Sequence, residues 1–173
     1  MPADQEQLRQ VWSRFATGVT VITTRDTQDQ VHGMTANALC SVSLDPPLAL
    51  LLVAQERATH TLVTQRRSFG INILAEHQRE AAVYYAQGPK DGPLPQGVRF
   101  WFTQQGTAIL EGCLGYLDCQ VVAEHQAGDH TLFIAQVLEA GASQGQPLVY
   151  YRSSYGKLGG AQPPSSGIQS TGA

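Results

Sequence analysis

The sequence predicts a mainly β domain, a barrel carrying helices at its rim. Three observations lead there. Short strand-like segments separated by brief turns run along most of the chain with only a few helical stretches inserted. Gly128-Asp129, a turn pair favoured in hairpins, joins two of the longest such segments. No Gly-x-Gly-x-x-Gly follows a strand, which speaks against a Rossmann domain, so any nicotinamide dinucleotide would bind transiently as a co-substrate. At 173 residues the chain fits one domain that buries about two-thirds of its unfolded surface. It needs no disulfide staples.

Taken in order, Leu8, Val11, Trp12 and Phe15 recur at helical spacing, and Gly18 arrives where a left-handed residue would end a helix over 4–17. Residues 19–24 read as a strand, the polar run 25–30 as a turn, and Val31 onward as the antiparallel return. Pro46-Pro47 interrupts ladder hydrogen bonding, so the chain turns before 48–54, whose unbroken apolar character suits a central strand buried on both faces. A short helix over 59–65 and a strand over 69–74 follow. A second helix over 77–87 turns Ala81, Ala82 and Tyr85 inward. Three prolines and three glycines make 88–97 an exposed loop, suited to a lid or a partner contact. Strands over 114–124 and 131–140 flank the Gly128-Asp129 turn, and 148–152 is the last strand. The folded domain is thus expected over 1–158, and the tail 159–173, rich in Gly, Pro, Ser and Gln, is expected to be disordered.

Composition excludes several classes. A formal charge of −3, with eleven Lys and Arg and no basic cluster, gives little basis for nucleic-acid binding. The longest apolar run is a third of a membrane span, so no membrane association is expected. Cys40, Cys113 and Cys119 match no zinc or redox spacing, and with no signal peptide they read as reduced residues of a cytoplasmic protein. Cys113 and Cys119, six apart, suit one strand face. His32, His60, His77 and His125 form no metal spacing, and no metal site is expected.

The segment Gly33-Met34-Thr35-Ala36-Asn37, followed by Ser41-Val42-Ser43, packs small and hydroxylic residues where strands prefer branched and aromatic ones. One reading is a cradle for a flat ring, held by backbone N–H groups and hydroxyls. The other is the solvent face of an ordinary strand. Arg57-Ala58-Thr59-His60-Thr61 offers a cation and hydroxyls at a helix start, with Thr59 as N-cap, a combination suited either to a phosphate or to a plain surface helix.

These segments occur in one order with Phe15-Ala16-Thr17-Gly18-Val19-Thr20-Val21-Ile22-Thr23, Phe69-Gly70-Ile71-Asn72-Ile73-Leu74, Gly128-Asp129-His130 and Tyr150-Tyr151-Arg152-Ser153-Ser154-Tyr155-Gly156. The ordered set resembles the short-chain flavin reductases, FMN-binding split-barrel proteins that supply reduced flavin to two-component monooxygenases. The likeness covers roughly residues 8 to 158. It implies a split β-barrel, a homodimer, FMN or FAD as flavin, NADH or NADPH as hydride donor, and a separate monooxygenase as recipient of the reduced flavin. Residue by residue, Thr35, Ala36 and Asn37 match the stretch beside the flavin ring and ribityl chain. Ser41, Val42 and Ser43 match the stretch whose backbone reaches the ring edge. Arg57, Thr59 and Thr61 fall where the family places phosphate donors, although Ala58 stands where a Ser is often seen. Tyr155 matches a position that stacks near flavin or adenine, or else anchors the barrel. His130 matches a residue near the nicotinamide, with a positioning role. A flavin-binding electron carrier on the same barrel, or a split barrel adapted to another ligand such as heme, are the alternative readings; Gly128-Asp129-His130 favours the reductase.

Overall fold

Short strand segments broken by polar turns, with a few helices inserted, give twelve strands, three α-helices and one 3-10 turn in the computed structural model, which describes residues 3–88 and 94–159. The chain begins with α1 (Gln5–Trp12), whose N-cap Asp4 accepts the Gln7 backbone N–H at 2.8 Å. β1 (Thr17–Gly18), β2 (Thr20–Arg25), β3 (Val31–Ala36), β4 (Leu39–Leu44) and β5 (Pro47–Ala54) follow, then α2 (Ala58–Arg66), β6 (Ser68–Ile73) and α3 (Arg79–Ala86). The rest is strand: β7 (Phe100–Phe102), β8 (Ala108–Leu110), β9 (Gly115–Ala127), β10 (His130–Ala142), β11 (Leu148–Tyr151) and β12 (Ser154–Lys157).

Seven strands make the main sheet in the order β3-β2-β6-β9-β10-β5-β4, every neighbouring pair antiparallel. Its two edges, β3 and β4, are consecutive in sequence, and between them the Ala38 carbonyl accepts the Leu52 N–H at 3.0 Å. The sheet curls without closing its ladder there, which is the split of the barrel. Register shifts at Ile134/Ala135 and Val137/Glu139 bend the long β9–β10 hairpin, the usual device for curling a sheet. β1, β11 and β12 form a second sheet, and β7 and β8 a third.

The interior is filled by Ile22, Leu51, Val53, Phe69, Ile71, Val121 and Phe133. A second cluster, with Val19, Val21, Leu74, Ala82, Tyr85, Leu110 and Leu148, lies between the sheet and α3. Polar groups at this boundary are paired. Asn72 donates to the Val21 carbonyl at 2.8 Å and accepts the Leu110 N–H at 2.7 Å, while Thr23 donates to the Ala108 carbonyl at 2.5 Å.

The structure corrects several expectations. The strands buried on both faces are β2 and β6: in β2 Ile22 joins the barrel cluster and Val21 the cluster against α3, and in β6 the run from Phe69 to Asn72 is buried throughout. β5 is second from an edge, with Ala49, Leu51 and Val53 buried and the alternate residues half-open. The first helix stops at Trp12, and Gly18 lies in β1 rather than at a left-handed cap. No residue of α1 is buried, and Leu8, Val11 and Trp12 on its apolar face are each more than half exposed. Cys113 precedes β9 and does not share its face with Cys119; all three thiols are free. β7, β8 and β12 carry no strong strand pattern. The β11–β12 turn is made by Arg152 and Ser153 at φ +50° and +61°, a hairpin turn without the Gly or Asn that normally announces one. In the loop expected over 88–97, residues 89–93 lie outside the described residues, as does the tail from 160. No helix among the described residues is long and apolar enough to cross a membrane.

Candidate active site

β3 is an edge strand, so one flank of its backbone lacks a strand partner and borders open space. Two adjoining cavities lie along it. The smaller, about 220 Å³, is lined by Val19, Met34, Thr35, Ala36, Asn37, Arg57, Ala86, Tyr150 and Tyr155. The larger, about 790 Å³, runs toward the β2–β3 turn and includes Gln30, His32, Gly33, Glu56, Thr59, Tyr84, Tyr85 and Phe100. Met34 and Arg57 belong to both walls.

Of the residues marked in the sequence, Thr35, Ala36, Asn37, Arg57 and Tyr155 meet around the smaller cavity. The fold brings Tyr155 beside β3 because β12 pairs with β11, and β11 with β1 just ahead of β2. Thr35 does not present its hydroxyl to the cavity as a free donor: it donates to the Ala82 carbonyl of α3 at 2.6 Å and fixes the strand against the helix. Asn37 reaches back to Thr17 Oγ1 at 3.1 Å. Tyr155 packs at 5.3 Å from the Tyr150 ring with the Arg79 guanidinium 6.0 Å above it, and burial raises its phenol pKa.

Gly33 has a different use from the one its smallness suggested. A Cβ there would stand 2.6 Å from the ring of Tyr85, so the space is occupied by this chain's own aromatic side chain. Tyr85 is buried, its phenol is pushed up chiefly by desolvation, and its hydroxyl has no hydrogen-bond partner among the described residues.

Thr59 is not the N-cap of α2. That position is Arg57, with no side-chain cap bond, and Thr59 is buried one step further in while lining the larger cavity. The first N–H groups of α2 thus carry no side-chain cap, and Ala58 and Thr59 line the larger cavity with Arg57. Thr61 is exposed and outside both cavities. Ser41, Val42 and Ser43 lie on β4, where Val42 is the extra residue of a bulge opposite Ala49 and Leu48; they border neither cavity.

His130 also lies outside the cavities, at the tip of the β9–β10 hairpin, where Gly128 has φ +60°. Its Nδ1 is 2.7 Å from Asp129 Oδ1, and that hydrogen bond lowers the Asp129 pKa. The tip is tied to the site through the β5–α2 turn: Gln55 N–H donates to the Asp129 carbonyl at 3.0 Å, and Arg57 N–H donates to the Ala54 carbonyl at 3.0 Å. His60, on α2, bonds Thr131 at 2.8 Å and packs on Phe133.

Sequence reasoning did not single out Val19, Ala86, Tyr84 or Tyr150 as lining residues. The adjacent pair Tyr84-Tyr85 closing a helix of modest apolar character was the available signal. The donor set fits a phosphorylated aromatic heterocycle: one cation, the uncapped start of a nine-residue helix, and apolar and aromatic walls.

The flavin reductase like domain family model matches residues 12–159. An NADH-dependent flavin reductase of a Rhodococcus species is 42% identical over 153 residues, covering 87% of this chain and 85% of the relative. The reductase component of a 4-nitrophenol 4-monooxygenase/4-nitrocatechol 2-monooxygenase of Rhodococcus opacus is 37% identical over 156 residues, covering 90% of this chain and 82% of its own length. Among solved structures, flavin reductase PheA2 in its native state superposes with a TM-score of 0.84 at 36% identity, covering 92% of this chain and 100% of that one.

Proposed function

This chain belongs to the flavin reductase-like family, and from that premise we propose that it uses NADH or NADPH to reduce FMN or FAD and delivers the reduced flavin to a separate monooxygenase. The observation that carries the reading is the cavity along β3, where Thr35, Ala36, Asn37, Arg57 and Tyr155 converge from three distant parts of the chain.

A bound flavin supplies the redox chemistry, accepting a hydride from the nicotinamide C4 at its ring. The chain's own residues orient and exclude water. Val19, Met34 and Ala86 give the smaller cavity its apolar wall. Thr35, locked to Ala82, sets the position of the β3 backbone, so its N–H groups are pre-aimed before any ligand arrives. Arg57 and the uncapped start of α2 bind phosphate. Ser41 and Ser43 of β4, outside both cavities, take no part in this arrangement. His130, held by Asp129 at the hairpin tip, positions the nicotinamide and transfers no proton.

The chain works as a homodimer in the cytoplasm, with the reductase unit spanning 1–158. Leu8, Val11, Trp12 and Phe15 are each more than half exposed, as is Leu44 on the edge strand β4, and a twofold partner would cover them. The test is steady-state oxidation of NADH and NADPH by the purified protein with FMN, FAD and riboflavin. Turnover with at least one pair is the expected result; none with any pair defeats the proposal.

A further inference from the structure

A third hollow lies at the Arg25 end of β2, the opposite end from the Thr20–Ala36 pairing, and no residue of its lining borders either cavity along β3. It holds about 150 Å³, with Thr24, Arg25, Arg66, Ser68, Gln105 and Gly106 among its walls. Arg57, at the waist between the β3 cavities, precedes α2, and Arg66 is the last residue of that helix, roughly 13 Å along it at 1.5 Å per residue. The Arg66 guanidinium is anchored by the Arg25 carbonyl at 3.2 Å, the Asp26 carbonyl, and Asp29 Oδ1 at 2.8 Å. Arg25 is seated from the other side. Its guanidinium lies 5.7 Å over the Phe102 ring, and a Cβ on Gly106 would stand 2.7 Å from its Nη2, so glycine at φ +78° lets the β7–β8 turn approach the cation. Two guanidinium groups, 29% and 35% exposed, therefore face one small hollow, an arrangement that calls for an anion between them. Within the chain that anion is Asp29, 3.6 Å from Arg25 and 2.8 Å from Arg66, yet its side chain is 65% exposed. One carboxylate against two arginines leaves a positive excess. The Thr24 and Thr107 hydroxyls are spent on the Ser68 carbonyl and on Asp118, while Ser68 and Gln105 add a hydroxyl and an amide to the walls.

We propose that this hollow is a second anion site, which takes one phosphate-type oxyanion between Arg25 and Arg66 while the exposed Asp29 carboxylate swings out into water. Guanidinium forks match the oxygens of a tetrahedral oxyanion, which suits two arginines better than two lysines. The hollow is below the roughly 300–1,000 Å³ usual for whole organic ligands, so it admits the phosphate group and not a nucleotide. Free phosphate and the phosphate of a small ester share this chemistry, the organic part of an ester projecting past the exposed Gln105. Occupation joins the β2–β3 turn, the end of α2 and the β7–β8 turn through one ion. The proposal stands independently of the flavin-reductase reading.

The test is isothermal titration of the purified protein with inorganic phosphate and with glycerol phosphate, the ionic strength held constant with chloride. One saturable equivalent is expected, with a dissociation constant on the order of 1 mM. It should persist in Arg57→Gln, which removes the cation shared by the β3 cavities. Arg25→Gln should weaken it roughly tenfold or more, the value of a charge-assisted hydrogen bond, and Gln105→Glu, an exposed change that leaves both arginine networks in place, about threefold. Asp29→Asn, a side chain tolerated at φ +62°, should tighten it about threefold, because the competing carboxylate is gone. An arginine pair with a purely structural role shows no such gain. Thermal melts without phosphate identify any variant that has lost its fold, and Gln105→Glu and Asp29→Asn decide the matter if Arg25→Gln is one. Binding of phosphate alone assigns the free ion, and equal binding of glycerol phosphate assigns an esterified group; both support the site. No saturable binding of either ligand overturns it. So does binding that is lost in Arg57→Gln but unchanged in Arg25→Gln, which would place the anion at the start of α2, and so does an Asp29→Asn variant that binds no more tightly than wild type.

Discussion

His130 and Asp26 illustrate how much one hydrogen bond decides in exposed parts of this molecule. His130 touches no cavity wall, yet the Gln55–Asp129 and Arg57–Ala54 bonds join its hairpin tip to the waist of the site. If it positions nicotinamide, His130→Ala lowers kcat/KM for NADH about fivefold to tenfold, the value of one lost hydrogen bond, and leaves flavin affinity and dithionite reduction nearly intact. Anaerobic stopped-flow bleaching of bound flavin measures this, and identical rates in wild type and variant reject the role. Asp26 stands at the β2–β3 turn, where the His32 ring at 2.9 Å and the backbone N–H groups of Gln30 and Gln28 hold its carboxyl below the usual 3.8. A depressed carboxyl pKa stabilises the fold above the ordinary carboxylate range, and that contribution disappears as pH falls through the lowered value. His32→Ala is expected to move the Asp26 titration upward, toward but not fully to 3.8, since the backbone donors remain. A carboxyl-carbon NMR titration unaffected by the substitution contradicts the assignment of His32 as the main cause.

At the scale of elements, the β7–β8 hairpin shows how a short, weakly patterned piece is held. Asp118 of β9 is 1% exposed, and its two oxygens accept the hydroxyls of Thr103 and Thr107 at 2.6 Å each. Those threonines border the Phe102–Ala108 closure, so one buried carboxylate pins the hairpin against the main sheet. Asp118→Ala leaves two buried hydroxyls without acceptors, at roughly 1–3 kcal/mol apiece, so unfolding free energy should fall by about 3 kcal/mol. Denaturant unfolding checks it, and a change below about 1 kcal/mol shows that the hairpin stands without Asp118. Nothing in the sequence announced this pairing, because a lone Asp in a strand reads as a solvent-facing residue until the hairpin that covers it is known. β2 teaches the same point from the apolar side: Val21, Ile22 and Thr23 are wholly buried, although the more continuously apolar β5 looked the better candidate.

For the whole molecule, the uncovered α1 face and the open edge strand β4 predict association. Sedimentation at micromolar concentration is expected to show a dimer, and Trp12→Glu, which places a charge on a face with no buried residue in this chain, should shift it toward monomer without lowering the melting temperature of the monomer. A wild-type protein that sediments only as monomer with flavin bound rejects this.

The sequence by itself determined the strands β2, β3, β5, β6, β9, β10 and β11, the hairpins at 25–30 and 128–129, and Arg57 beside a helix start, because turn chemistry and hydrophobic period act between near neighbours. It also carried the family, through motifs in one order. Only the tertiary structure decided that Tyr150 and Tyr155 would join Thr35 and Asn37, residues more than a hundred positions away. It alone decided that Gly33 makes room for Tyr85, that Thr59 is buried and not a cap, and that β2 is covered on both faces. These outcomes depend on which element packs on which, a matter of long-range burial and pairing that no local pattern of residues encodes.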